Sequence, residues 1–305
     1  MDAYTIKIVH LAASDPELCS EYKLLTLPSA HPFYQIPDLK KNLIGTEAWI
    51  ADKLVGFCLA EIYPAQNTAQ IYSLYVLPEC RSRGIGQGLF HAMQDHLVKT
   101  EKISGIGLEY DKGLEDAKAL EKILASSGWP APYFYLLRCY INPQTFNPPW
   151  LNMAYRLPKE TEMFTWYKLK EKEKSYIQNT ANLRWFLPYI SPFLHTDRID
   201  NRFSVGLRYQ RRVIGWCITH LIEPDLICYK SLYIEKSYQR KSWGIFLLIE
   251  SIRRLKKSSI SQALFEIKVR EIDPTWTHFI KKRLLPSAFK VERKNWANCY
   301  FPSNS

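Results

Sequence analysis

Residues 74–90 read Leu74-Tyr75-Val76-Leu77-Pro78-Glu79-Cys80-Arg81-Ser82-Arg83-Gly84-Ile85-Gly86-Gln87-Gly88-Leu89-Phe90. An apolar strand-like run stops at Pro78, which has no N–H to continue a ladder. Two arginines follow, and glycines then open an amphipathic helical pattern. The first N–H groups of a helix lack intrahelical acceptors and stand at the positive end of its dipole, so they bind phosphate oxygens. Glycine lets such an anion come close to the main chain, and Arg81 and Arg83 add charge. The stretch therefore predicts a strand, a basic loop and a helix whose mouth receives a diphosphate. It is neither a P-loop, for want of Gly-Lys-Ser/Thr, nor a dinucleotide fingerprint, which needs GxGxxG after a first parallel strand.

Working outward, the same layout occurs twice. Gly56-Phe57-Cys58-Leu59-Ala60-Glu61 precedes Ile71-Tyr72-Ser73-Leu74-Tyr75-Val76. Gly215-Trp216-Cys217-Ile218-Thr219-His220 precedes Tyr229-Lys230-Ser231-Leu232-Tyr233-Ile234, 158 or 159 residues later. A duplicated domain explains the repeat. Between the copies, Asn142-Pro143-Gln144-Thr145-Phe146-Asn147-Pro148-Pro149-Trp150 opposes both helix and central strand. We therefore expect a domain over 1–141, a Pro-rich linker over 142–158 and a second domain over 159–305. Each copy reads as a first strand, a helical stretch, three strands, a helix fed directly by the third strand, then strand, helix and closing strands.

The pattern Arg81-x-x-Gly84-x-Gly86, after a strand ending in Val-x-Pro, resembles the acyl-CoA loop of the GNAT N-acetyltransferases, and the repeat resembles the tandem members of that family. The resemblance implies an α/β chain of two tandem GNAT-type domains, each a mixed, largely antiparallel sheet flanked by helices. It implies acetyl-CoA or a longer acyl-CoA as donor, and direct attack by a primary amine without a covalent enzyme intermediate. The donor would lie against Leu74, Tyr75 and Val76 and against Arg81, Arg83, Gly84, Ile85, Gly86 and Gln87. In the second copy the matching positions are Ile234, Gln239, Lys241 and Gly244, with Ser242 in place of the first glycine. A Cβ there limits approach, so this copy either binds CoA more weakly, takes another acyl carrier or has lost the site.

The proton roles are less legible. Gln70 and Cys228 stand where many relatives carry a glutamate, and neither is a useful base. Glu61 and its counterpart His220 end the preceding strand, each either a proton acceptor or a hydrogen-bonded strand terminus; an unperturbed His titrates near neutrality. The usual general-acid tyrosine position holds Leu124, leaving Tyr110 the candidate, with Tyr133 and Tyr135 nearby. Aromatic clusters at residues 133–135, Trp166-Tyr167, Trp185-Phe186 and Trp276 read either as packing or as an acyl tunnel.

Over the whole chain of 305 residues, apolar types reach 47% and charged types 23%, which excludes a disordered or fibrous chain. The net charge of +11 is uneven: residues 1–150 hold 13 Lys+Arg against 16 Asp+Glu, and 151–305 hold 28 against 14. The basic half suits an acidic peptide or another anionic partner, or only solubility. The seven cysteines are scattered, with no CxxC and no metal-ligand spacing, so no metal is expected. No apolar run can span a bilayer, and the start lacks signal-peptide character, so a cytoplasmic location is expected. Three readings follow: an acyl-CoA-dependent N-acyltransferase acting on an amine, a fatty-acyl transferase to a Lys- or ornithine-type side chain of a peptide, and a non-catalytic CoA- or partner-binding module. Nothing resembles a nucleic-acid-binding signature.

Overall fold

The computed structural model describes residues 3–11, 16–28, 31, 42–181, 190–269 and 274–302; Trp185 and Phe186 lie outside them, as do the side chains of Cys19, Arg240, Lys241 and Trp276. In chain order the elements are β1 (Thr5–His10), α1 (Pro16–Leu24), β2 (Leu43–Ile50), β3 (Lys53–Tyr63), β4 (Thr68–Val76), α2 (Ile85–Lys99), β5 (Gly105–Asp111), α3 (Ala117–Ser126) and β6 (Tyr133–Ile141). There follow β7 (Thr161–Thr165), α4 (Glu171–Ala181), β8 (Val205–Tyr209), β9 (Arg212–Glu223), β10 (Leu226–Ile234), α5 (Trp243–Leu255), β11 (Gln262–Lys268), α6 (Pro274–Phe279), a π turn (Ile280–Leu284) and β12 (Lys290–Tyr300).

The chain folds as two units, residues 1–135 with 294–305, and residues 136–293. The first has strand order β1-β2-β3-β4-β5-β12 and is antiparallel except at β4–β5. The second has order β6-β11-β10-β9-β8-β7 and is antiparallel except at β10–β11. Each is the mixed, largely antiparallel sheet that the repeat implied.

In the first unit β3 is buried without interruption from Leu54 to Glu61, because both faces of the sheet are covered. On one face α2 lays Leu89, Phe90, Met93 and Leu97, all fully buried, over Ile44, Val55, Cys58 and Ile71. Each such side chain contributes about 1.5–3 kcal/mol on burial. On the other face Tyr22 of α1 stacks on Phe57 at 4.4 Å. The second unit repeats the plan: Leu247, Ile249, Ile252 and Leu255 of α5 bury against Leu207, Ile214 and Cys217, while Trp166, Ile177, Trp216 and Tyr233 fill the opposite face.

Two departures from the expected boundaries are informative. The last strand of each half closes the other half's sheet: residues 294–300 pair with β5 over 105–111, and residues 136–141 pair with β11 over 263–268. A cut at 141/142 would thus separate β6 from the core that holds Cys139 and Ile141. The Pro-rich segment is not a loose linker either. Phe146, Trp150 and Leu151 are buried in the second unit, Trp150 Nε1 donates to the Arg283 carbonyl at 3.2 Å, and Gln144 Nε2 donates to the carbonyl of Ile260 at 2.8 Å.

Candidate functional site

The parallel β4–β5 ladder lasts only from Thr68↔Gly105 to Ile71↔Leu108, although β4 runs on to Val76. Beyond Ile71 the strand is held from one side alone, by β3, through Ser73↔Leu59, Leu74↔Cys58, Tyr75↔Phe57 and Val76↔Gly56. A bulge at Tyr72 marks the parting, since Ile71 faces Ala60 and Ser73 faces Leu59 with Tyr72 left over. Bulges bend a strand away from its neighbour. The main chain of Leu74, Tyr75 and Val76 therefore borders a wedge with no β5 partner.

Past Val76 a short 3-10 turn, Pro78–Cys80, leads to Arg81. Arg81 Nε donates to the Val76 carbonyl at 3.0 Å, its guanidinium lies 3.1 Å from Asp116 Oδ2, and it sits 5.7 Å from the Tyr75 ring centroid. Arg83 donates to the Glu79 carbonyl at 3.2 Å. Gly84 caps α2 with φ +81°, a conformation that favours glycine, and no side chain caps the helix. The ladder begins with the Gly88 N–H on the Gly84 carbonyl, 2.9 Å, so the N–H groups of Ile85, Gly86 and Gln87 precede it and stand open at the helix mouth. A Cβ on Gly86 would meet only Ile123 Cδ1 and Val76 Cγ2, both at 3.7 Å, whereas a Cβ on Gly88 would strike Tyr4 Oη at 2.8 Å and Ile6 Cδ1 at 2.9 Å. Gly88 serves the packing of α2 on β1, and Gly86 leaves room. Gln87 Nε2 reaches Ser126 on α3 at 3.3 Å.

Glu61, 4% exposed, has both Tyr63 Oη (2.7 Å) and Tyr72 Oη (2.8 Å) within hydrogen-bond reach of its Oε2, and the two phenol oxygens also lie within reach of each other, so two hydrogens are shared among three contacts. Burial pushes the Tyr63 hydroxyl up to about 12, with the Glu61 carboxylate adding to it, and raises Tyr72 as well. Both phenols therefore remain protonated donors at neutral pH. Tyr110 is tied down elsewhere: its hydroxyl donates to Glu121 at 2.5 Å and accepts from Asn295 at 3.1 Å, and burial raises it to about 12. On β5, Tyr135 donates to Glu109, the residue that follows the last β4–β5 pair.

The second unit builds the same frame with different contents. Gln239 Nε2 donates to the Ile234 carbonyl at 2.9 Å, the bond Arg81 makes in the first unit. Ser242 caps α5 at φ +61°, where Gly84 stands in the first copy. The β10–β11 ladder ends at Tyr229↔Phe265, and Lys230 is the bulged residue matching Tyr72. Where Tyr72 turns back to Glu61 on β3, Lys230 crosses to β11, its Nζ 2.6 Å from Glu266 Oε2. Arg138 on β6 grips the other oxygen of Glu266 through Nε and Nη2, both at 2.9 Å. Burial would raise the Glu266 carboxyl, but Lys230 and Arg138 outweigh it and hold it below the usual range. His220 is 2% exposed, faces Cys228 across the ladder and meets His195 edge-on at 6.3 Å. Burial, with Lys230 adding, drops it to about 4. It is therefore neutral at pH 7, and burial beside Lys230, His195 and Arg198 disfavours its protonated form.

The structure thus groups Glu61 with β4 and the α2 mouth in one unit, leaves Tyr110 bonded to α3 and β12, and places His220, Ile234, Gln239 and Gly244 in the other. Reading the sequence missed Tyr63, Tyr72, Asp116, Lys230, Glu266 and Arg138. A signal existed for the last three: Lys230 and Arg138 are the single charges of their strands, and Glu266 is a charge set between Phe265 and Ile267.

Residues 11–120 match the sequence model of the Acetyltransferase (GNAT) family. No curated protein matches the chain in sequence. Among solved structures, a GNAT N-acetyltransferase of Sphaerobacter thermophilus is similar over 97% of this chain and 95% of its own, with TM-score 0.63 at 12% identity. A tandem GNAT protein from the clavulanic acid biosynthesis pathway is similar over 98% of this chain and all of its own, with TM-score 0.61 at 14% identity. The glucosamine N-acetyltransferase region of a fungal multi-domain β-N-acetylglucosaminidase gives 0.64 at 13% identity, over 98% of this chain and 38% of that one. Residues 11–120 thus match the GNAT acetyltransferase family, and the fold of the chain as a whole is similar to that of a tandem GNAT protein.

Proposed function

We propose that the protein is an acyl-CoA-dependent N-acyltransferase whose donor site lies in the first unit, between the β4 wedge and the mouth of α2. One observation carries the reading: the open N–H groups of Ile85, Gly86 and Gln87, unfilled by any side-chain cap, lie beside two arginines and a strand edge that has lost its partner. That donor set fits a diphosphate followed by an amide-bearing arm. When bound, acyl-CoA supplies an activated thioester.

The chain's own residues would do the rest. The α2 amides and Arg81 hold the diphosphate, with Asp116 giving up its ion pair to it. The edge of Leu74, Tyr75 and Val76 fixes the arm as an added strand would. Glu61 receives the acceptor's proton: both phenols bond to Oε2, and Oε1 remains to take a proton from an entering primary ammonium. Tyr63 and Tyr72 keep that carboxylate oriented. Tyr110, spent on Glu121 and Asn295, is not needed for thiolate departure.

In the second unit the Lys230–Glu266 pair bars the corresponding wedge, and its basic surface is better suited to an anionic acceptor or partner than to a second donor. A thermal-shift series of acyl-CoAs from acetyl to palmitoyl tests the reading, because a donor that binds the folded state stabilises it in proportion to its affinity. Wild type and a Gln239→Ala variant are expected to shift alike and an Arg81→Ala/Arg83→Ala variant hardly at all. Equal shifts in all three would overturn the site.

A further inference from the structure

Well away in sequence from the donor loop, three ligand-type side chains converge in the first unit. His10 ends β1, His96 lies in the last turn of α2, and Glu101 follows that helix. Their ligand atoms all lie within 4.8 Å of one another. Glu101 Oε1 stands 3.3 Å from His96 Nε2 and 3.9 Å from His10 Nε2, and the two imidazoles meet edge-on at 5.8 Å. We propose that His10, His96 and Glu101 form a divalent transition-metal site, with Zn²⁺ as its probe, that clips the edge strand β1 to the end of α2.

The geometry suits the ion. Tetrahedral zinc with bonds of about 2.0–2.1 Å sets its ligand atoms roughly 3.3 Å apart. His96 and Glu101 already have that spacing, and His10 needs to close by less than an ångström from Glu101. Its side chain is 55% exposed at a strand end. The other two ligands are fixed by the chain termination of α2. The N–H groups of Thr100 and Glu101 both bond to the His96 carbonyl, the Ile103 N–H bonds to Leu97, and Lys102 takes φ +59° to close the turn. This arrangement delivers the Glu101 carboxylate next to the imidazole one turn back. The carbonyl end of a helix also favours a cation. Two imidazoles and one carboxylate suit zinc over magnesium or calcium, which take oxygen donors. Three protein ligands leave one tetrahedral position to solvent. The site stands on packing rather than on the acyl-transfer machinery, so it is independent of the donor reading.

The test uses the whole protein. Zn²⁺ titrated into wild type, His10→Ala and Glu101→Gln, each purified with chelator and dialysed, is followed by calorimetry and by thermal unfolding. His10 is largely exposed, so its variant retains the fold and serves as the primary comparison. The expected result is stoichiometric binding in wild type with a rise in Tm, and in either variant a loss exceeding the roughly tenfold that disturbing a metal's outer shell already costs. Mg²⁺ is expected to leave Tm unchanged. Zinc binding of equal affinity in wild type and His10→Ala, which would locate the ion at cysteine thiols instead, or no binding in wild type at micromolar zinc, overturns the proposal.

Discussion

Gly86→Ala separates a ligand-binding glycine from a structural one, because the two readings predict opposite outcomes. The substituted Cβ would find Ile123 and Val76 at 3.7 Å, ordinary contact distance, so nothing must move to admit it. Gly86 is the second residue of α2, and replacing a helical glycine by alanine there stabilises by about 0.5–1 kcal/mol. The same methyl is carried by a residue whose own amide stands open at the helix mouth. If it displaces a diphosphate oxygen from that N–H, the loss is one charge-assisted hydrogen bond, about 1.5–3 kcal/mol, or roughly 10- to 150-fold in Kd for CoA. Urea unfolding of the apo protein gives the first number and isothermal titration of CoA the second. A variant that is more stable but binds CoA weakly supports the account. A variant that is more stable and binds CoA as wild type does refutes it, since the main chain at Gly86 would then not be where the anion sits.

Other outcomes follow from the second unit. His220 is held at about 4 against an ordinary value near 6.5, so the unfolded chain binds more protons between those values. Stability therefore rises with pH across that window and is lost as pH falls through it, by about 3 kcal/mol in all; in His220→Gln the urea midpoint is expected to lose most of this dependence between pH 6.5 and 4. Ser242→Gly relieves a left-handed residue and is expected to stabilise by about 1 kcal/mol in urea unfolding. Glu266→Gln leaves Lys230 and Arg138 facing a neutral amide inside the wedge, and a destabilisation of about 3 kcal/mol is expected by the same assay. Asp116→Asn frees Arg81 from its ion pair and is expected to lower the Kd for CoA severalfold.

Most of the site's frame could be read from the chain because it is written in strong local signals. Pro78 ends a strand, Gly84 must take a positive φ, and the uninterrupted apolar run of β3 announces burial on both faces. The exchange of closing strands could not be read. Nothing local in β6 or β12 names the strand it pairs with; pairing partners are a matter of chain path, which local pattern does not encode. The prolines of residues 143–149 rightly excluded helix and central strand but said nothing of burial, which Phe146 and Trp150 decide. Matched positions also proved chemically unmatched. Glu61 and His220 occupy the same place in two copies, yet one has two phenols for company and the other has Lys230 and His195. Apart from Tyr63, the neighbours that set those environments lie 10 to 25 residues away in sequence.

The most direct test of the central claim is amide hydrogen exchange of the intact protein with and without CoA. The account predicts that CoA slows exchange in residues 82–88, at the mouth of α2, and along Leu74 to Val76, while residues 240–246 at the mouth of α5 exchange as before. Protection at α5 with none at α2, or no protection at either helix, would contradict it.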